Sequence, residues 1–170
     1  SSKSCHGRLR FPPTAKPLTC PSNMATERPY LLEQIDEAAV VQLYADGFNE
    51  LTLKEKTLVW HLYQAAIAGR DIYYDQRHRF NLGIRALLEG ILTHAAGVPA
   101  ATLAELTRYT KLFWINTGPY NNLTARKFLL NLDRARVTAA MEIAAGNGAD
   151  FALAEGESLE GQITELKGSF

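Results

Sequence analysis

Thr52-Leu53-Lys54-Glu55-Lys56-Thr57-Leu58-Val59-Trp60-His61-Leu62-Tyr63-Gln64-Ala65-Ala66-Ile67-Ala68-Gly69 is the stretch that decides the fold class. It opens with a capping box. The Thr52 hydroxyl can accept from the Glu55 N–H, and the Glu55 carboxylate can reach back to the Thr52 N–H. Leu58, Leu62, Ala65, Ala66 and Gly69 then recur at helical spacing, which predicts a helix with one apolar stripe. The small residues in that stripe predict close approach by another helix. Residues 69–76 leave two readings open, a continuation of the helix or a turn.

Working outward, the same periodicity recurs. Residues 29–45 read as a first helix, with Pro29 early and Leu32, Ile35, Ala39 and Leu43 on one face. Asn81 reads as the N-cap of a helix over 81–95, with Leu87, Leu88, Ile91 and Leu92 inward. Gly97 and Pro99 follow its end. A further helix over 101–114 turns Leu103, Leu106, Thr110 and Phe113 to one side. Gly118-Pro119 beside several Asn breaks the pattern over 116–122. Thr124 then reads as the cap of a last helix over 125–145, with Phe128, Leu132, Ala139 and Ile143 inward and Gly146 as its stop. Strands are weakly signalled throughout, because no hairpin dipeptide joins alternating runs. The expected fold is mainly α, about five helices packed as an irregular bundle.

Composition bounds the function. Across 170 residues, 46% are apolar, enough for one core, and the 18 basic residues balance the 18 acidic ones. That balance gives no pull toward nucleic acid or an anionic membrane, and no apolar run reaches membrane-spanning length. Neither nucleic acid nor membrane is expected as a partner. Residues 1–23 differ from the rest: Lys3, Arg8, Arg10 and Lys16 meet no acid there, and both cysteines, Cys5 and Cys20, lie in it. This segment reads as a leader, as an ordered extension, or as a disordered tail or expression artefact ahead of a start at Met24. With no cysteine after position 20, a reducing, cytoplasmic setting is expected for the body. Residues 24–148 form the helical part, and 149–170, with Phe151, Leu153, Leu159 and Ile163, read as the cut-off start of a next element.

Chemistry is sparse. His6, His61, His78 and His94 are the histidines, and none is followed by Glu, so the helical zinc pair H-E-x-x-H has no counterpart. No G-x-S-x-G and no phosphate-binding glycine loop occurs. No catalytic residue and no metal ligand is assigned. Two polar clusters remain as candidates for lining a substrate cleft: Arg70, Asp71, Asp75 and Gln76, interleaved with Tyr73 and Tyr74, and the loop residues Asn116, Tyr120, Asn121 and Asn122. Amide side chains both donate and accept, which suits pairing with a peptide main chain. The plainer readings are an Arg–carboxylate network tying two helices together, and a turn that needs its Asn residues for its own backbone. The basic run Arg77-His78-Arg79 reads as a solvated connection.

Two blocks carry a resemblance. The first is Gly47-Phe48-Asn49-Glu50-Leu51-Thr52-Leu53-Lys54-Glu55-Lys56, with Leu58-Val59, Gln64-Ala65-Ala66-Ile67-Ala68-Gly69-Arg70-Asp71-Ile72 and Asp75-Gln76. The second is Phe113-Trp114-Ile115-Asn116-Thr117-Gly118-Pro119-Tyr120 with Lys127-Phe128. Together they resemble the N-terminal region of bacterial dipeptidyl peptidase III proteins, over roughly residues 28–128. The resemblance implies a two-lobed zinc metallopeptidase that removes dipeptides from oligopeptide N-termini. It places the zinc on an H-E-x-x-x-H motif and a later Glu in the other lobe, and neither is in this chain. Bacterial relatives often carry histidines where this chain has Tyr120-Asn121-Asn122. The implied whole is a larger two-lobed fold continuing into a β-containing region. Its zinc and its oligopeptide substrate belong to the parent enzyme, whose remaining polypeptide is the expected partner. The competing expectations are a non-catalytic helical peptide-binding or scaffolding domain and an unrelated all-α interaction protein.

Overall fold

The computed structural model describes residues 28–151, so expectations for 1–23 and most of 149–170 lie outside the described residues. The described part is mainly helical, with a small two-stranded sheet ahead of the helices. No helix among the described residues is long and apolar enough to cross a membrane.

The expected helix over 29–45 is a β-hairpin instead. Strand β1 (Leu31–Ile35) pairs antiparallel with β2 (Ala38–Val41), and a bulge lies between Leu31 and Glu33. Asp36 takes φ +50 at the turn, a conformation that Asp tolerates better than most residues. Val40 and Val41 favour the extended chain. The hairpin is held by what it lies on. Ile35 is its buried side chain, and Lys111 and Arg108 on a later helix pair with Glu33 and Asp36.

A 3-10 turn (Asp46–Glu50) leads into α1 (Leu53–Ala68), whose capping box forms as expected. Gly69 ends α1, and α2 (Arg70–Arg77) follows at once, which settles the reading left open over 69–76. Helix α1 departs from expectation in one respect: none of its residues is buried. The stripe Leu58, Leu62, Ala65 and Ala66 is exposed, with no described element over it.

The core sits between α3 (Asn81–Thr93), α4 (Ala100–Asn116) and α5 (Arg134–Gly146). Ile84, Leu87, Leu88 and Ile91 meet Leu106, Tyr109 and Phe113, then Val137, Ala140, Met141 and Ala144. Each large aliphatic side chain buried here contributes roughly 1.5–3 kcal/mol. Tyr74 of α2 stacks on Phe113 at a ring separation of 5.8 Å. Phe151 closes the far side so tightly that a Cβ on Gly90 would stand 2.7 Å from its ring.

Two helix starts differ from expectation. Asn81 is the first helical residue rather than the N-cap; it is buried, and Phe80 holds the cap position. The last helix begins at Arg134, not near residue 125. Asp133 caps it by accepting from the Arg136 N–H at 2.8 Å. Thr124 caps nothing. Ala125 stands at φ +56, and the Phe128 N–H donates to the Pro119 carbonyl, so this stretch folds back on the preceding loop. The face shifts accordingly: Ala139 is exposed, and Phe128 and Leu132 pack on the core from the loop.

Candidate functional site

The loop after α4 starts from Thr117, which caps the helix in the left-handed conformation at φ 50 and ψ 40. Gly118 follows at φ +150, and a Cβ there would lie 2.9 Å from the Asn81 Nδ2. The chain therefore turns hard against the start of α3. The loop Asn residues serve their own backbone first. Asn116 is buried; its Nδ2 donates to the Leu112 carbonyl and its Oδ1 accepts from the Asn122 N–H. The Asn121 Oδ1 accepts from the N–H groups of Leu123 and Thr124. Tyr120 stays half exposed, with the Lys127 ammonium 6.0 Å from its ring centre. Burial holds that ammonium below its usual pKa.

Of the first cluster, Arg70 and Asp71 join an ion-pair network. Asp71 accepts from Arg85 at 2.7 Å and lies 3.5 Å from Arg70, and Arg85 also approaches Glu89. This network ties α2 to α3. The Arg85 guanidinium, and after it Arg70, hold the Asp71 carboxyl below its ordinary range. Glu89 in turn accepts from the Trp114 indole at 3.0 Å, which extends the network to α4. Asp75 and Gln76 are exposed and take no part in it.

Arg70, Asp71, Asp75 and Gln76 do not line the loop's cavity; the residue that reaches the loop is one that sequence reading left in a solvated connection. Arg77, the last residue of α2, donates from Nη1 to the Asn116 carbonyl, the Thr117 hydroxyl and the Asn122 Oδ1. Asn81 adds a second link: its Nδ2 donates to the carbonyls of Tyr74 and Thr117, at 3.1 and 3.3 Å. Its buried Oδ1 has no hydrogen-bond partner among the described residues. Arg77, Asn81, Thr117, Tyr120, Asn121 and Asn122 line a cavity of about 280 Å³ into which no Asp or Glu projects. Arg77 makes no ion pair with a described residue, and its hydrogen bonds to the loop all leave from Nη1. The site is therefore a small polar basin with one cation and several amides. Such a basin can hold a peptide main chain or a carboxylate.

Arg77 and Asn81 are the functional candidates that sequence reading missed. Arg77 follows Asp75-Gln76 directly, and only its distance from the loop, about forty positions on, hid it. As to metals, no three His, Cys, Asp or Glu side chains gather as ligands among the described residues. No protein-family model matches this chain, and no curated protein matches it in sequence.

Proposed function

We propose that the chain is the helical N-terminal part of a two-lobed, cytoplasmic zinc dipeptidyl-peptidase of the dipeptidyl peptidase III kind. In this reading it forms one wall of the peptide cleft and leaves the zinc to the other lobe. The fold would continue into a β-containing region, and the remaining polypeptide would be its partner. The described residues offer no ligand set for zinc, so no step of hydrolysis is assigned to them. The observation that supports the reading is the contact between the residue just after the first resembling block and the second block. Arg77, directly after the first block, binds Asn116 and Thr117 of the second and Asn122 beyond it. The basin so formed is free of acids and suits an oligopeptide main chain.

A second reading, a non-catalytic helical peptide-binding or scaffolding domain, draws on another observation. The core between α3, α4 and α5 closes within the described residues, as an independent module requires.

The test is binding of a tetra-alanine peptide to the full chain, followed by NMR shifts. Perturbations centred on Arg77, Tyr120 and Asn122 are expected, and both Arg77→Ala and Tyr120→Phe should weaken binding several-fold. Tyr120 is half exposed, so its variant keeps the fold if Arg77→Ala does not. Shifts elsewhere, or none, would sink the cleft assignment. Dipeptidyl-arylamide turnover by this chain with added zinc should be nil; robust turnover would overturn the division of labour. The coding sequence beyond Phe170 separates the two readings: an in-frame H-E-x-x-x-H marks the peptidase, and a stop codon marks the module.

A further inference from the structure

The polar atoms around the basin divide into those committed to the protein and those left over. The oxygens are committed. The Asn116 Oδ1 accepts from the Asn122 N–H, the Asn121 Oδ1 from the Leu123 and Thr124 N–H groups, and the Asn122 Oδ1 from Arg77. These donors fix which end of each amide is oxygen. The main-chain carbonyls of Asn116, Thr117, Pro119 and Asn121 are taken too, by Arg77, Asn81, Phe128 and Ala125. The Asn81 Oδ1 lacks a partner but is buried, out of a ligand's reach. What remains are donors. The side-chain N–H groups of Asn121 and Asn122 have no acceptor among the described residues. His78 joins them: its Nδ1 accepts from the Phe80 N–H at 3.3 Å, so the ring carries its proton on Nε2.

We infer that the basin is a seat for a carboxylate, and that the group it takes is the C-terminal carboxylate of an oligopeptide. The second half of the inference rests on the peptide-cleft reading above; the first rests on the surplus of donors. An internal stretch of peptide brings N–H and C=O groups in equal number, and its N–H groups would compete for oxygens that the loop has already used. The carboxyl end of a chain brings two oxygens and a full negative charge. Donors beside a cation hold such a group more strongly than a neutral carbonyl. The ammonium at the other chain end fits badly on both counts: it needs acceptors, and it would meet Arg77 in a cavity lined by no Asp or Glu. Lys127 adds a second positive charge, 6.0 Å from the ring centre of the lining residue Tyr120. At about 280 Å³ the cavity has room for the last residue of a peptide and not for a long stretch of it.

The test is titration of the full chain with tetra-alanine in three forms, free, C-terminally amidated and N-terminally acetylated, followed by the side-chain N–H resonances of Asn121 and Asn122. The free peptide should shift those resonances. Amidation should weaken binding at least tenfold, and acetylation should leave it within about twofold. Asn122→Asp keeps an oxygen for Arg77 and replaces the spare N–H group by a second, charged oxygen, so it should weaken binding of the free peptide at least tenfold. Equal binding of the free and amidated peptides, loss of binding on acetylation, or undiminished binding to Asn122→Asp would each overturn the carboxylate seat while leaving the peptide cleft in place. An acetylated and amidated Ala-Ala-Glu-Ala that binds as tightly as free tetra-alanine would overturn the chain-end assignment, because a side-chain carboxylate then serves as well. No shift in the basin with any of these peptides would remove the peptide reading itself, and the proposal with it.

Discussion

Glu105 shows how one side chain joins distant parts of this protein. It takes two hydrogen bonds from Arg108, at 2.8 and 2.7 Å, and a third from the Asn131 N–H at 2.7 Å. Arg108 continues to Asp36 on the hairpin. One carboxylate thus anchors α4, the loop before α5 and, through Arg108, the sheet. Glu105→Gln keeps the shape and removes the charge, so it should cost about 1.5–3 kcal/mol, read as a lowered Tm. The pH dependence has a definite sign. The Arg108 hydrogen bonds, aided by Asn131, hold the folded Glu105 carboxyl below its unfolded value. Its contribution is complete above the unfolded pKa of about 4.3 and is lost as pH falls through the lowered folded value. Titration of Tm from pH 6 down to pH 3 should fall less steeply for Glu105→Gln than for the parent. None of these three partnerships is legible in the sequence beyond the Glu105–Arg108 spacing of three. Asn131 and Asp36 come to the site through the fold.

At the scale of elements, the start of α1 was legible and its surroundings were not. A capping box is a four-residue device, closed by Thr52 and Glu55 alone, so any chain carrying it can be read locally. Thr52→Ala should cost about 1 kcal/mol of α1 stability. Because α1 contributes no buried side chain to the core, that loss should be local. Hydrogen exchange should quicken across α1 while protection in α3, α4 and α5 stays unchanged; loss of protection across all four helices would contradict this separation. The hairpin is the opposite case. Leu31 to Val41 spaces its apolar residues acceptably for a helix or a strand, and Asp36-Glu37 is no standard turn pair. The choice was made by α4, whose Arg108 and Lys111 take Asp36 and Glu33, and by burial of Ile35. Likewise, the stretch after Pro119 was claimed by the loop pairing Tyr120 with Lys127, which postponed α5 to its cap at Asp133.

Across the whole molecule, stability rests on one core shared by three helices, with Tyr74 and Phe151 closing it. Leu106 is fully buried at its centre. Leu106→Ala should destabilise the chain by 2–5 kcal/mol, as a single cooperative shift in denaturant midpoint read by far-UV circular dichroism.

The sequence by itself determined the helical class, the capped start of α1 and the inward faces of α3 and α4. Those features depend on spacing within a few turns of one helix, where side chains three or four apart must share a face. Only the tertiary structure decided that residues 31–41 pair as strands, that Asn81 is buried rather than capping, and that Arg77 gathers Asn116, Thr117 and Asn122 into one basin. Each of those outcomes needs a partner tens of residues away. Local periodicity carries no record of such a partner; burial and charge pairing in the folded chain do.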